Sequence, residues 1–267
     1  MTMLNVTDER CLFRHYDNPT LCSPLSPAYI GIHGMDGKGG RLANAGIPED
    51  YRGLLLADSP AREGQAEVYE KLEAYTKSFT RQFPDVMAEV IAEGKSPNEA
   101  RIKSLYLWSE SPGTGKTTSA IALMGEYLLA HFIGSLKRKE SPSQRPVYFL
   151  DANELQTKYN EFNRPRVPDD IAEPASRTYY NAIKYAKETP FVVIDDIGVR
   201  DSTDGFRADL HSVINHRTSG AMPTIYTSNI PIKELPEVFG EQRLADRVRD
   251  MCQAIHFEGT SKRGARR

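Results

Sequence analysis

The sequence predicts an α/β fold: a parallel sheet with flanking helices, preceded by a small irregular N-terminal module and a linker helix. Three observations predict it. From Leu105 onward short apolar runs alternate with helical stretches. A Gly-rich loop, Ser109-Glu-Ser-Pro-Gly-Thr-Gly-Lys-Thr-Thr, falls between the first run and the first helix, and a later run, Phe191-Val-Val-Ile-Asp-Asp-Ile-Gly, ends in two acids. Short strands separated by crossover helices require parallel pairing, and ligands of such sheets bind at the carboxyl ends of the strands.

Residues 1–45 are rich in Pro and Gly, including Gly34-Met-Asp-Gly-Lys-Gly-Gly, and show no sustained period, so an irregular module is expected there. Between Arg62 and Gln82, Val68, Leu72, Tyr75 and Phe79 recur every three or four residues and predict one amphipathic helix within a linker over 46–100, ended by Pro84. From 101 to 267 the expected strands are 105–108, 147–150, 191–194 and 224–227. The expected helices begin after Gly115 and span 153–162, 177–187 and 206–216. Two stretches read as exposed loops, 135–146 and 163–170, each placing Lys or Arg beside Pro.

With 34 Lys+Arg against 36 Asp+Glu and 39% hydrophobic residues, the chain is neither a basic nucleic-acid coat nor a disordered polymer. No run of about 20 apolar residues announces a membrane span. The start lacks a signal-peptide pattern and the 3 cysteines are few and scattered, which predicts a cytoplasmic protein without a disulfide framework.

The Gly-rich loop reads as a P-loop. Small residues let successive backbone N–H groups wrap a phosphate at a helix N-terminus. Pro112, Gly113, Thr114 and Gly115 form that wrap, Lys116 supplies the cation, Thr117 is expected on Mg²⁺, and Thr118 on the α-phosphate side. Glu110 departs from the pattern, since it stands at the first Gly; were that position to need a positive φ, Glu would be strained there. At the end of the second run, Asp195 is expected to hold Mg²⁺ and Asp196 to orient or deprotonate the attacking water. In Pro223-Thr-Ile-Tyr-Thr-Ser-Asn, Asn229 is expected beside the γ-phosphate, with Thr227 or Ser228 as alternatives. Arg243 and Arg247, four residues apart, share one helical face.

In this order the blocks resemble the AAA+ ATPases of the DnaC/DnaI helicase-loader group, with the IstB transposition helpers related. Ala45-Gly-Ile-Pro-Glu-Asp-Tyr-Arg is similar to the segment before the loaders' ATPase domain. Pro112-Gly-Thr-Gly-Lys-Thr, Val193-Ile-Asp-Asp-Ile-Gly, Ile214-Asn-His-Arg and Thr224-Ile-Tyr-Thr-Ser-Asn-Ile follow. The stretch from Gly240 to Arg247 resembles the arginine-finger helix and Phe257 to Arg263 the terminal strand.

The resemblance implies ATP and Mg²⁺ as ligands, and an oligomer, in loaders an open spiral, in which Arg247 reaches a neighbour's nucleotide and Arg243 supports that interface. It implies a replicative DNA helicase and single-stranded DNA as partners, with the module over 1–45 as the helicase grip. Residues 1–100 carry 15 acidic against 10 basic residues, so a DNA-binding arm is not expected there. Single-strand contact falls to basic residues over 101–150 and to Lys262, Arg263, Arg266 and Arg267, with stacking on Tyr159 or Phe162. Some loaders carry N-terminal zinc; Cys11, His15, Cys22 and His33 have the chemistry for it, without a close Cys-x-x-Cys pair. Asp196, one methylene shorter than the usual Glu, implies slow hydrolysis. Two further readings stand beside the loader: an IstB-like transposition regulator, and an ATP-binding adaptor with little hydrolysis.

Overall fold

The computed structural model describes residues 10–198, 203–240 and 242–261. Ahead of the sheet come short helices α1 (Pro27–His33), α2 (Gly40–Asn44), α3 (Ala66–Thr76), α4 (Pro84–Ala92) and α5 (Pro97–Ala100). The predicted linker helix is α3, continued by a 3₁₀ segment from Lys77 to Gln82; Val68, Leu72 and Phe79 are buried, whereas the Tyr75 hydroxyl donates to the Lys103 carbonyl. Pro84 does interrupt, and then opens α4 at its first turn, where its missing N–H costs nothing.

Five parallel strands follow: β1 (Ser104–Trp108), β2 (Val147–Asp151), β3 (Phe191–Asp195), β4 (Thr224–Ser228) and β5 (Cys252–His256), in the order β2-β3-β4-β1-β5. Strands β3 and β4 are buried on both faces; β3 therefore reads as a nearly continuous apolar run, whereas β4 buries Thr224, Thr227 and Ser228 beside Ile225 and Tyr226. Helix α6 (Lys116–Lys137) follows β1, α7 (Ala152–Asn163) and α8 (Asp169–Glu188) follow β2, α9 (Asp204–Ser219) follows β3, and α10 (Leu235–Phe239) and α11 (Gln242–Met251) follow β4.

Two expectations change. Helix α8 begins eight residues before the predicted start, because Pro174 lies inside it and forgoes only the bond back toward its first turn. The terminal strand is Cys252–His256 rather than Phe257 onward: Leu107 pairs with Ile255, and after Phe257 the chain turns through Gly259 at φ 102°. Lys262, Arg263, Arg266 and Arg267 lie outside the described residues. Helix α6 is long and apolar enough to cross a membrane by length and composition, but 67% of its most apolar window is buried inside the fold, so its hydropathy is that of a core helix.

Two cores flank the sheet. On one face α6 and Leu105, Leu107 and Val147 pack with Leu12, Phe13, Tyr29, Ile32 and Leu42, so residues 11–42 share the sheet's own core. Arg41, 7% exposed, ties that packing down by donating to the carbonyls of Gly31, Pro142 and Ser143. On the other face Tyr106, Leu150, Val192 and Ile194 pack with residues of α7 to α11.

The zinc expectation fails. Cys11 and Cys22 are buried and joined in a disulfide, where the sequence leads one to expect no disulfide framework. His33 Nε2 accepts from the Leu12 N–H at 3.3 Å and His15 pairs with Asp58 at 2.8 Å. Among the described residues no group of three or more His, Cys, Asp or Glu side chains is placed to hold a metal.

Candidate functional site

The strand order brings the P-loop after β1 beside the ends of β4 and β3. Gly113 (φ 76°) and Gly115 (φ 103°) take left-handed backbone that lets the loop close, and α6 starts directly at Lys116. Lys116, 7% exposed, folds across the loop and donates to the Ser111 carbonyl at 3.2 Å. The Thr114 hydroxyl is buried with no hydrogen-bond partner among the described residues. Glu110 keeps an ordinary negative φ, so the anticipated strain is absent. Its carboxylate points outward, 3.1 Å from His256 Nε2.

Thr227 joins the two acids. Its hydroxyl donates to Asp195 Oδ1 at 2.6 Å and accepts the Asp196 N–H at 2.9 Å. The Thr117 hydroxyl also lies near enough to Asp195 to favour its charged form, so the two expected Mg²⁺ residues come together. Burial pushes the Asp195 carboxyl up to about 6, against the pull of the Thr227 and Thr117 hydroxyls and with added repulsion from Asp196 and Asp151. The register sets Asp151 directly beside Asp195. A buried carboxylate crowded by acids, with a hydroxyl at hand, is a hard-oxygen set that fits Mg²⁺.

Asp196 sits at φ 63°, an unusual backbone for a residue other than glycine, and its carboxylate is held from two sides. Asn153 Nδ2 donates to Oδ2 at 2.8 Å and Asn229 Nδ2 to Oδ1 at 3.4 Å. The sequence places Asn229 beside the γ-phosphate and singles out no role for Asn153. The available signal was Asp151, which caps α7 by accepting from the Asn153 and Glu154 N–H groups and so fixes Asn153 at a strand end.

Residues 59–69 brace the loop from behind and were also missed. A Cβ on Gly115 would meet the Ala61 Cβ at 2.3 Å, so only glycine fits there. Gln65 Nε2 donates to the Glu258 carbonyl at 2.6 Å and to that of Thr114 at 3.4 Å, and Tyr69, 1% exposed, bonds Ser119 through its hydroxyl at 2.8 Å.

Arg243 and Arg247 are both exposed on α11 and line, with His211, Ser212, Asn215 and Leu244, a cleft of about 300 Å³ against α9. None of these lining residues belongs to the P-loop. Arg247 Nη1 donates to Asn215 Oδ1.

No protein-family model matches the chain. The curated replicative helicase loader DnaI of Bacillus subtilis (strain 168) is 27% identical over 182 residues, which are 63% of this chain and 50% of that protein. The chain thus spans about half the length of the curated relative it matches. A crystal structure of the DnaC helicase loader superposes with a TM-score of 0.50 at 19% identity, covering 79% of this chain and 100% of that one. A crystal structure of DnaI gives 0.49 at 20% identity, covering 81% and 94%.

The resemblance to the DnaC/DnaI-type loaders is borne out. The fold is an α/β fold, a five-stranded parallel sheet with flanking helices, shared with the DnaC loader structure. Within this loader-like framework the aromatic pair expected to stack on DNA is engaged internally: Tyr159 packs on Phe162, Tyr179 and Phe206, and Phe162 on Tyr179 and Tyr180. Tyr180, 59% exposed, is the ring of this cluster that faces outward.

Proposed function

We propose that this chain is an ATP-dependent loader that binds a replicative DNA helicase and places it on single-stranded DNA, working as a homo-oligomer in the bacterial cytoplasm. The observation that carries the reading is the pair of hydrogen-bonded acids at the P-loop. Asp195 is set against Thr117 and Thr227, and Asp196 is held by Asn153 and Asn229. Lys116 and the loop from Pro112 to Thr118 bind the ATP phosphates, and Thr117 and Asp195 hold Mg²⁺, which supplies charge neutralisation at the transferring phosphoryl group. Asp196 accepts the proton of the attacking water. Its short side chain, already occupied by two amides, supports slow turnover. Arg243 and Arg247 lie in a cleft of their own, which supports action on a neighbouring subunit, as an open spiral requires.

In this reading residues 1–45 grip the helicase, 46–100 connect, and 101–267 form the ATPase. Deleting 1–45 is a poor test, because it strips Leu12, Phe13 and Ile32 from the core beside α6. Leu25 and Met35 are 84% and 86% exposed and can be changed without touching that core. Native mass spectrometry with a replicative helicase, ATP and Mg²⁺ should show a complex for the wild-type chain that Leu25→Asp with Met35→Asp weakens at unchanged thermal stability. No complex under any nucleotide condition would remove the loader reading and leave the adaptor.

A further inference from the structure

A carboxylate at the mouth of a phosphate site repels the ligand that the site exists to bind. Glu110 stands at that mouth, and its carboxyl is held below the usual carboxylate range by its own backbone N–H and by His256, so it is charged at neutral pH. The structure turns it away. Its side chain is 66% exposed, with Oε2 3.1 Å from His256 Nε2. His256 is itself fixed, its ring stacked on Trp108 with centroids 4.1 Å apart and planes at 24°. Trp108 ends β1 and His256 ends β5, and the register sets the two side by side. Trp108 in turn packs against the second core. A chain of contacts therefore runs from the core through Trp108 and His256 to the departing residue of the P-loop.

We propose that His256, held by Trp108, is a positioning residue that keeps the Glu110 carboxylate out of the phosphate site. The inference rests on the reading of 109–118 as a nucleotide site. It explains how this chain combines a Glu at the first loop position with an otherwise intact phosphate cradle. The bridge is not needed for folding, since ion pairs at exposed positions add little stability. Loss of His256 therefore frees Glu110 without unfolding the protein.

The test is titration of the full-length chain with a fluorescent N-methylanthraniloyl ATP analogue and Mg²⁺. Four proteins are compared: wild type, His256→Ala, Glu110→Gln and the double variant, with Lys116→Ala as control. His256→Ala is expected to bind the probe about fivefold more weakly, the size of a like-charge contact in a water-exposed site. In the Glu110→Gln background the same change should have no effect, because no charge remains to be misplaced. Equal weakening in both backgrounds, or none in either, overturns the proposal. Trp108 is the chain's one tryptophan, so its emission reads the stack directly without nucleotide. His256→Ala should raise that emission, and an unchanged spectrum also overturns the proposal. Wild-type binding by Lys116→Ala would overturn the nucleotide site itself, whereas its loss beside an unaffected His256→Ala overturns the role of His256 alone.

Discussion

Thr227 contributes one hydroxyl and through it fixes two acids, since the same oxygen donates to Asp195 and accepts from the Asp196 backbone. Burial, acting against the pull of that hydroxyl, raises the Asp195 carboxyl from 3.8 to about 6. A raised acid binds its proton more tightly in the folded chain than in the unfolded one. Its stabilising contribution is therefore complete below pH 3.8 and is lost as pH rises through about 6. At neutral pH Asp195→Asn should raise the stability of the nucleotide-free protein, by up to about 3 kcal/mol for two pKa units. Thermal melts with and without Mg²⁺ and ATP check this: the wild type should gain stability from the ligands and the variant should not. Asn153 acts on the other acid. With its donor gone, Asp196 loses its closer anchor, so Asn153→Ala should lower ATP turnover about tenfold through misorientation while nucleotide affinity is kept. An affinity loss as large as the rate loss would assign Asn153 to binding instead.

At the level of elements, the sheet is locked at the amino ends of β3 and β4 by a side chain that no motif advertised as structural. Arg217, at the end of α9, is 0% exposed and donates to the carbonyls of Ala186, Thr189, Pro190 and Pro223 and to the Thr224 hydroxyl. It thereby staples the end of α8 to the starts of β3 and β4. Burial lowers its guanidinium to about 10, which still leaves it charged at neutral pH. Arg217→Ala removes five donated bonds and strands buried carbonyls, and should cost about 3–5 kcal/mol in urea unfolding. Lysine should recover little, because one ammonium cannot reach acceptors spread over three elements. The Ile214-Asn-His-Arg block is thus partly architectural: Ile214 is buried in the core, Arg217 staples the strands, and Asn215 meets Arg247. Sequence reasoning finds β1 to β4 almost to the residue and misplaces β5, whose largely exposed residues leave no apolar run. It lost the first turns of α8, where a proline near the start of the helix reads as a break.

Across the whole molecule, the P-loop is set from three directions: by β1, by the ends of β3 and β4, and by the 59–69 segment behind it. Residues 11–42 share the core of α6, the helix that begins at Lys116. In the proposed oligomer Arg243 and Arg247, exposed on α11, would act on a neighbour's P-loop. Arg247→Ala should therefore keep nucleotide affinity within about twofold and abolish the rise of ATPase rate with protein concentration. An unchanged rate per subunit at every concentration would refute action in trans.

The α/β class, the order of strands along the chain, the phosphate loop and the paired acids were determined by the sequence itself, because each is a local pattern of period, glycine and charge. The disulfide between Cys11 and Cys22, the Asn153 anchor on Asp196, the terminal strand at Cys252–His256 and the turning away of Glu110 by His256 were decided only by the tertiary structure. In each of these the partners sit on different elements, and which side chains meet depends on register and packing across the fold rather than on spacing along the chain.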